Sequence, residues 1–456
     1  MTAKLEVADV RAARSLPGSI SEVALLAYPA VLQTMSDTAM HVVDAAMVGR
    51  LGVVELGAVG LGGIWLWTML VFFVGTATGV QTFTAQTFGS RDLRACGRWA
   101  WQGLYVLALP ALVWTGILAL TFAPLMHFLG ASPHMSELAT AYAHGRLYGA
   151  PAIIGSVVLA SFFRGLGDTR TPLVVTVVAN LLNAALAYAL VFGQFGFPAW
   201  GVQGAGIATA VAEWTFFGVM LAALLRRRMR DRFRTRPVAP EWTAMRRLVR
   251  TSAPIGGQWF LDMISFALFS TVIARMGESQ MAASQAMLQL LSLSFMQAYG
   301  ISIASGALVG RFVGARDLEA AERSHRSALK LGLTLAAVVA VLFVAVPDAL
   351  LSLFTADPTV LALGRPLLAL GALFQVVDAV GIIAGGSLRG SGDTRWPFAM
   401  QASLAWVLRL PLVYVLAVYL GGGVVGAWFG ELGYVAVLSA AWLLRWRAGN
   451  WRAIHI

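Results

Sequence analysis

Residues 29–52 read PAVLQTMSDTAMHVVDAAMVGRLG, and the reading of this stretch decides the fold. It lies in an apolar run long enough to cross a bilayer, yet it carries two carboxylates and an imidazole. Asp37, His41 and Asp44 are spaced i, i+4 and i+7, which predicts that they share one helical face, with Gln33 just above. An ionisable side chain in hydrocarbon costs at least about 2.5 kcal/mol, so such groups face a bundle interior or a water-filled cavity. A single acid there is readily satisfied by an internal hydrogen bond. Two acids and an imidazole on one stripe point to a face that handles ions.

The surroundings agree with a membrane setting. The chain has 456 residues, of which 58% are hydrophobic and 12% charged, and a mean hydropathy of +0.74. Soluble domains carry roughly 25% charged residues. Apolar runs are read at about 19–48, 53–86, 99–122, 134–160, 172–193, 201–225, 250–273, 281–310, 327–346, 360–386, 397–420 and 424–444. This predicts an all-α integral membrane protein of twelve transmembrane helices.

The net charge of +11 does not imply nucleic-acid binding, because of where the charges fall. With a cytoplasmic N-terminus, the inner segments are 1–18, 89–98, 164–170, 226–250, 311–330, 389–395 and 445–456, and they hold 28 of the 33 Lys and Arg. Only Arg50, Arg146, Arg275, Arg365 and Arg409 lie elsewhere. This is a positive-inside pattern with both termini cytoplasmic. The run RRRMRDRFRTR (226–236) is then a connector and topology anchor that also suits anionic lipid headgroups. Cys96 is the only cysteine, so no intramolecular disulfide forms and no Cys-rich metal site exists. Residues 1–18 are mixed polar and the first apolar span is too long for an h-region, so no cleavable signal is expected.

The chain is written twice at an offset of 225 residues. FGSRDLRACGR (88–98) answers VGARDLEAAER (313–323), and FFRGLGDTRTP (162–172) answers SLRGSGDTRWP (387–397). Pro29, Asp37, Gly52 and Pro133 answer Pro254, Asp262, Gly277 and Pro358. Six helices per copy is an even number, so the copies are expected to be parallel repeats around a central cleft. Halves of that kind, with ligand sites near the midplane, make a transporter architecture. The expected segments are a cytoplasmic N-terminal segment (1–18), an N-lobe (19–225), a connector (226–249), a C-lobe (250–444) and a cytoplasmic tail (445–456). In the RGxGDTR loops the glycines permit tight turns, and Asp168 and Asp393 are placed to cap the helices starting near Pro172 and Pro397. No Lys-Ser/Thr and no βα context follow, so these loops are read as hinges rather than phosphate cradles.

The second half supplies more embedded polar groups. Asp262 repeats the depth of Asp37, and Gln285, Gln289 and Gln297 dot the next span. Asp378 sits in FQVVDAVGIIAGGSLRG, where the first half has Ile153. Arg409 is the one basic group at membrane depth in the eleventh span, and either Asp378 or Glu431 can neutralise it. Pairing with Asp378 makes that acid structural; pairing with Glu431 leaves Asp378 for cations. Glu213 and Glu431 are further embedded acids of the sixth and twelfth spans. Trp65, Trp67, Trp259, Phe260 and Trp406 offer cation–π surfaces for a drug-like cation, although many of the 15 tryptophans suit interfacial anchoring.

These residues resemble the multidrug and toxic compound extrusion (MATE) family. VDAAMVGRLG with Pro29 upstream resembles its first helix; the GxRD loop, RGxGDTRTP and FQVVDAVGIIAGGSLRGSGDTR match characteristic segments; LLNAALAYALVFGQFGFPAWGVQGAGIATA is similar to the fifth and sixth helices of the NorM-type branch. The resemblance covers roughly residues 20–445. It implies that Asp44 is the first-helix aspartate of proton or cation coupling, and that Asp262 and Asp378 answer the NorM branch's cation-binding pair. There are departures: Asp262 stands where a glutamate is usual, and Asp37 is an additional acid. Ala187 replaces the fifth-helix aspartate of another branch, though Asn180 and Asn183 remain nearby.

The expectation is an inner-membrane efflux antiporter, a monomer, exchanging organic cations for H+ or Na+ by alternating access. Asp44, Asp37, Asp262 and Asp378 carry coupling and substrate, and Asp262 and Asp378 hold the metal if the ion is Na+. His41, Asn180, Asn183, Gln285, Glu213, Glu431 and Arg409 are secondary candidates. No cofactor is expected. A lipid-linked precursor flippase of related architecture is the alternative, but its pyrophosphate calls for a more cationic cavity. A membrane enzyme needs a nucleophile or metal motif such as HExxH or GxSxG, and none is present.

Overall fold

The structure is a computed structural model describing residues 16–129, 132–354, 357–454 and 456. Most of the 1–18 segment and His455 of the tail therefore lie outside the described residues. The described residues are helical, with no β-strand among them.

The helices are α1 (Ile20–Gly49), α2 (Val53–Thr78), α3 (Val80–Gly89), α4 (Leu93–Phe128), α5 (Pro133–Leu147), α6 (Ala150–Gly165), α7 (Arg170–Phe192), α8 (Gly201–Leu224) and α9 (Arg227–Phe233). They continue with α10 (Trp242–Ala274), α11 (Glu278–Gly314), α12 (Leu318–Ala345), α13 (Pro347–Leu351), α14 (Pro358–Ser391), α15 (Arg395–Leu404), α16 (Leu410–Tyr414) and α17 (Gly423–Arg447). Among the described residues ten helices are long and apolar enough to cross a membrane, or eleven if α5 and α6, bent by 48°, form one span. The ten count α2 with α3 as one, and Arg395–Tyr419 as one. Helix α1 is not among them. Glu22, Gln33, Asp37, His41 and Asp44 lower its apolarity, although its 30 residues give about 45 Å of length.

Caps recur at the repeat spacing because the same residues recur. Asp92 accepts the amide of Ala95 at 3.1 Å, and Asp317 accepts that of Ala320 at 2.9 Å. The preceding Arg91 and Arg316 both turn the chain with φ near +60°. Ser132 caps the start of α5 through Met135, and Asp357 caps α14 through Thr359 and Val360. The RGxGDTR loops diverge. Asp168 accepts the amides of Arg170 and Thr171 as expected of a cap. Asp393 instead accepts Arg445 Nε at 2.8 Å. Its counterpart of Arg445 in the first half is Met220, so Asp168 has no such cation to turn toward.

The chain forms two compact units that divide inside helices rather than at the 226–249 connector. One comprises residues up to Val31 together with Leu261–Ile456, the other Leu32–Phe260. The breaks fall within α1 and α10, shortly after Pro29 and Pro254. Each proline lacks the N–H that would bond one turn back, so the ladder is weakened at both points.

In the Leu32–Phe260 unit, α8 packs on α7, α5 and α6, α2 packs on α5, and α4 on α6. The core gathers around Leu66, Phe122, Met126, Ala139 and Leu147. Helices touch backbone to backbone where α2 meets the start of α10: a Cβ on Gly75 would lie 2.8 Å from the Gly256 Cα, and one on Gly256 would overlap the Phe72 carbonyl oxygen. Such small-residue crossings substitute for a hydrophobic drive that lipid does not supply. Gly256→Val is expected to lower the thermal midpoint in detergent by an amount equivalent to about 1–3 kcal/mol or more; an unchanged midpoint would show that the crossing tolerates separation. In the other unit, α14 is the central element, packing on α11, α12 and α17. It encloses one core around Phe269, Met287, Leu367 and Trp428 and another around Ile301, Leu308, Ile383 and Trp442.

Candidate functional site

The polar groups of the Leu32–Phe260 unit form a chain of contacts along α1. Gln33 and Asp44 are eleven residues apart, close to three full turns, and both are buried, at 4% and 8% exposure. Asp37 and His41, rotated to the edge of that stripe, are exposed. The expected single face is therefore a buried seam with an open flank. Gln33 accepts Arg164 Nη2 at 2.8 Å and donates to Thr176 Oγ1 at 3.0 Å. Asn180 Nδ2 donates to the Ser36 carbonyl and hydroxyl at 3.0 and 2.9 Å, and Asn180 and Arg164 both act on Asp37 electrostatically. Asn183 donates to Asp44 Oδ1 at 2.7 Å, while Thr209 Oγ1 donates to the Ala205 carbonyl one turn back. Arg146 is paired with Glu213 at 3.0 Å and acts on both Asp44 and His41. Glu213 is thereby committed to an ion pair, whereas Asp44 has only neutral hydrogen-bond donors in direct contact among the described residues.

The second unit resolves the choice left open for Arg409. Its guanidinium meets Glu431 in a two-pronged pair, Nε to Oε2 and Nη2 to Oε1, both at 2.7 Å. Nη1 also bonds Ser265 Oγ and reaches Asp262 Oδ1 at 3.4 Å. Phe266 and Tyr434 flank the guanidinium, with ring centroids 5.7 and 5.0 Å away. Arg409 is 2% exposed, and it sits at the end of a π-helical stretch (Ala405–Arg409) just before Pro411. A π-turn beside a proline is a common way to re-aim a functional side chain. Asp378 makes no hydrogen bond or ion pair among the described residues; Asp262 and Glu431 are the charged groups that act on it. Glu431 and half-exposed Asp262 thus share one guanidinium, and Asp378 lies in the field of those two acids without an ion pair of its own among the described residues.

Gln285 and Gln289 are exposed on α11 and Gln297 is partly buried; among the described residues none bonds a member of either cluster, so the structure does not bring them to these acids. Within its own unit each cluster is complete, with Asp37, Asp44, Asn180, Asn183 and Glu213 in one and Asp262, Asp378, Arg409 and Glu431 in the other.

Two stretches, residues 29–189 and 254–415, each match the MatE family model. The chain belongs to the MATE family. The matches begin at the spacing that aligns the two halves of the sequence. Among MATE relatives, a probable multidrug resistance protein NorM of Bradyrhizobium diazoefficiens is 32% identical, with 92% of each chain covered. The multidrug resistance protein MdtK of Yersinia pseudotuberculosis is 30% identical over 92% of each chain. In fold the chain is similar to a crystal structure of MATE in the straight conformation, with a TM-score of 0.85, 20% identity and 97% and 98% coverage. The eukaryotic MATE transporter AtDTX14 superposes with a TM-score of 0.86 at 18% identity, covering 95% and 96%. The protein is a multi-pass membrane protein.

Sequence alone assigned no site role to three residues that stand near the embedded acids. Arg164 and Arg146 stand in the sequence only as a loop residue and an outlier of the charge pattern, yet both lie beside first-helix acids. Gln375 lies one turn before Asp378, is 3% exposed, and neither amide atom has a partner among the described residues. The i, i+3 spacing of Gln375 and Asp378 is the signal that could have found it.

Proposed function

We propose that this protein is a secondary multidrug efflux antiporter that expels organic, mainly cationic compounds in exchange for H+ or Na+. The observation that carries the reading is Asp378, a carboxylate in a membrane-spanning helix with no cationic partner among the described residues while Arg409 is held by Glu431. A desolvated carboxylate demands positive charge, whether a proton, a metal ion or a substrate ammonium. If these passengers compete for the same compensation, loading the ion from one side discharges the drug on that side. One elementary charge moved through 100 mV is worth about 2.3 kcal/mol, close to a fifty-fold concentration ratio. Exchange of one proton for one monovalent cation is electroneutral and draws only on the pH gradient.

In this reading Asp44, tuned by Asn183, is the main acid of the first half, with Asp37 supporting it. Asp262 and Asp378 hold the cation, Na+ included if sodium drives exchange. Helix α1 is taken as a further span, giving twelve in two repeats that work by alternating access. The protein acts as a monomer in the inner membrane with both termini cytoplasmic. The names of the NorM and MdtK relatives support the substrate class. The test is ethidium efflux from proteoliposomes under an imposed pH gradient and, separately, a sodium gradient. Efflux driven by one of the two gradients is expected; efflux indifferent to both would overturn antiport.

A further inference from the structure

A cavity of about 440 Å³ opens on the Leu261–Ile456 unit where the start of α12 meets the end of α17. Its apolar side is built from Leu329, Leu443 and the ring of Trp446. Trp446 in turn stacks on Trp451 at 4.3 Å, so this wall is rigid. The polar side holds the guanidinium groups of Arg326 and Arg447, both exposed, and both acting electrostatically on His325, which lines the same cavity. Arg447 has no carboxylate partner among the described residues. Glu322, the one acid of the lining, is already shared by Arg326 and Arg452, each at 3.4 Å. His325 is 2% exposed: its Nδ1 bonds Ser387 Oγ at 2.8 Å, its ring lies 4.5 Å from Trp446, and its Nε2 has no partner among the described residues. None of these groups belongs to either acidic cluster described above.

We propose that this cavity binds an anionic phospholipid, with the phosphodiester between Arg326 and Arg447 and the start of an acyl chain against Leu329 and Leu443. The chemistry argues for that class. Two guanidinium groups whose charge exceeds that of the single acid call for a diffuse oxyanion, and phosphate is the match for their planar donors. An apolar wall directly below the charged rim calls for an amphiphile rather than a free ion. The place argues for lipid in particular: the apolar runs of α12 and α17, read at 327–346 and 424–444, begin just after Arg326 and end just before Arg447, which puts the rim at headgroup level and the wall at the first acyl carbons. Basic pockets between helices at that level are suited to lipid phosphate.

The test uses the full-length protein in neutral detergent and counts retained lipid by native mass spectrometry after titration with phosphatidylglycerol or phosphatidylcholine. One tightly held phosphatidylglycerol is expected, and little phosphatidylcholine. R326Q/R447Q is expected to weaken phosphatidylglycerol retention roughly ten-fold or more, since two charge-assisted contacts are lost; both side chains are on the surface, and an unchanged melting profile verifies the fold. Equal retention of the two lipids, or full retention by R326Q/R447Q, would overturn the site. R226Q/R227Q/R228Q, on the connector of the other unit, is expected to leave the tight adduct in place; an equal loss there would reduce it to general surface charge and overturn the pocket. Glycerol phosphate is expected not to compete at concentrations where the lipid saturates, and effective competition would overturn the lipid assignment in favour of a soluble phosphate.

Discussion

Asp378→Asn is expected to abolish ion-driven ethidium efflux while leaving expression and thermal stability close to those of the parent protein. The substitution keeps the shape of the side chain and removes its charge. If the carboxylate is what compensates the passenger cation, its loss costs about what an uncompensated charge costs at membrane depth, roughly 2.5–3.5 kcal/mol or a hundred-fold in ion affinity. Stability is spared for a reason visible in the structure. Asp378 makes no hydrogen bond or ion pair among the described residues that the amide would forfeit, and its charged neighbours Asp262 and Glu431 are both acids that repel it. The measurement is transport in proteoliposomes beside a melting curve of the same preparation. Retained efflux would remove Asp378 from the mechanism, and a lost fold would show that the acid is structural after all.

Glu431→Gln has the opposite signature, a loss of folded protein. Arg409 is 2% exposed, and its two-pronged pair with Glu431 is the main compensation for a guanidinium held out of water. Removing one partner of such a pair costs about 3–5 kcal/mol, because the remaining charge is left buried; replacing both with apolar groups is often neutral. Asp262, 3.4 Å away and half exposed, is too weak a substitute to restore the balance. Glu431→Gln alone is therefore expected to lower yield and melting temperature sharply, and Arg409→Met with Glu431→Leu to recover most of both. A double variant no better than the single one would mean that the pair contributes more than mutual neutralisation. The two variants separate roles that look alike in sequence: one embedded acid is committed to a cation within the protein, the other has none among the described residues.

The sequence on its own determined everything that depends on neighbouring residues and on repetition. Apolar runs mark ten or eleven membrane-capable helices among the described residues, because every backbone group in hydrocarbon must bond within its own helix. The 225-residue echo shows that α4 and α12, α5 and α14, and α7 and α15 start at matching positions, and local chemistry at Asp92, Asp317, Ser132 and Asp357 caps the first two pairs in place. The stripe of Gln33, Asp37, His41 and Asp44 was legible from the helical period, but its division into buried and exposed sides depends on what packs against it. Only the tertiary structure decided that Arg409 takes Glu431 rather than Asp378, that Asp393 takes Arg445, and that the compact units part within α1 and α10. Those outcomes turn on distances of a few ångströms between residues tens to hundreds of positions apart. A charge in a low-dielectric interior pairs with whichever partner packing brings within reach, and spacing along the chain carries no record of that.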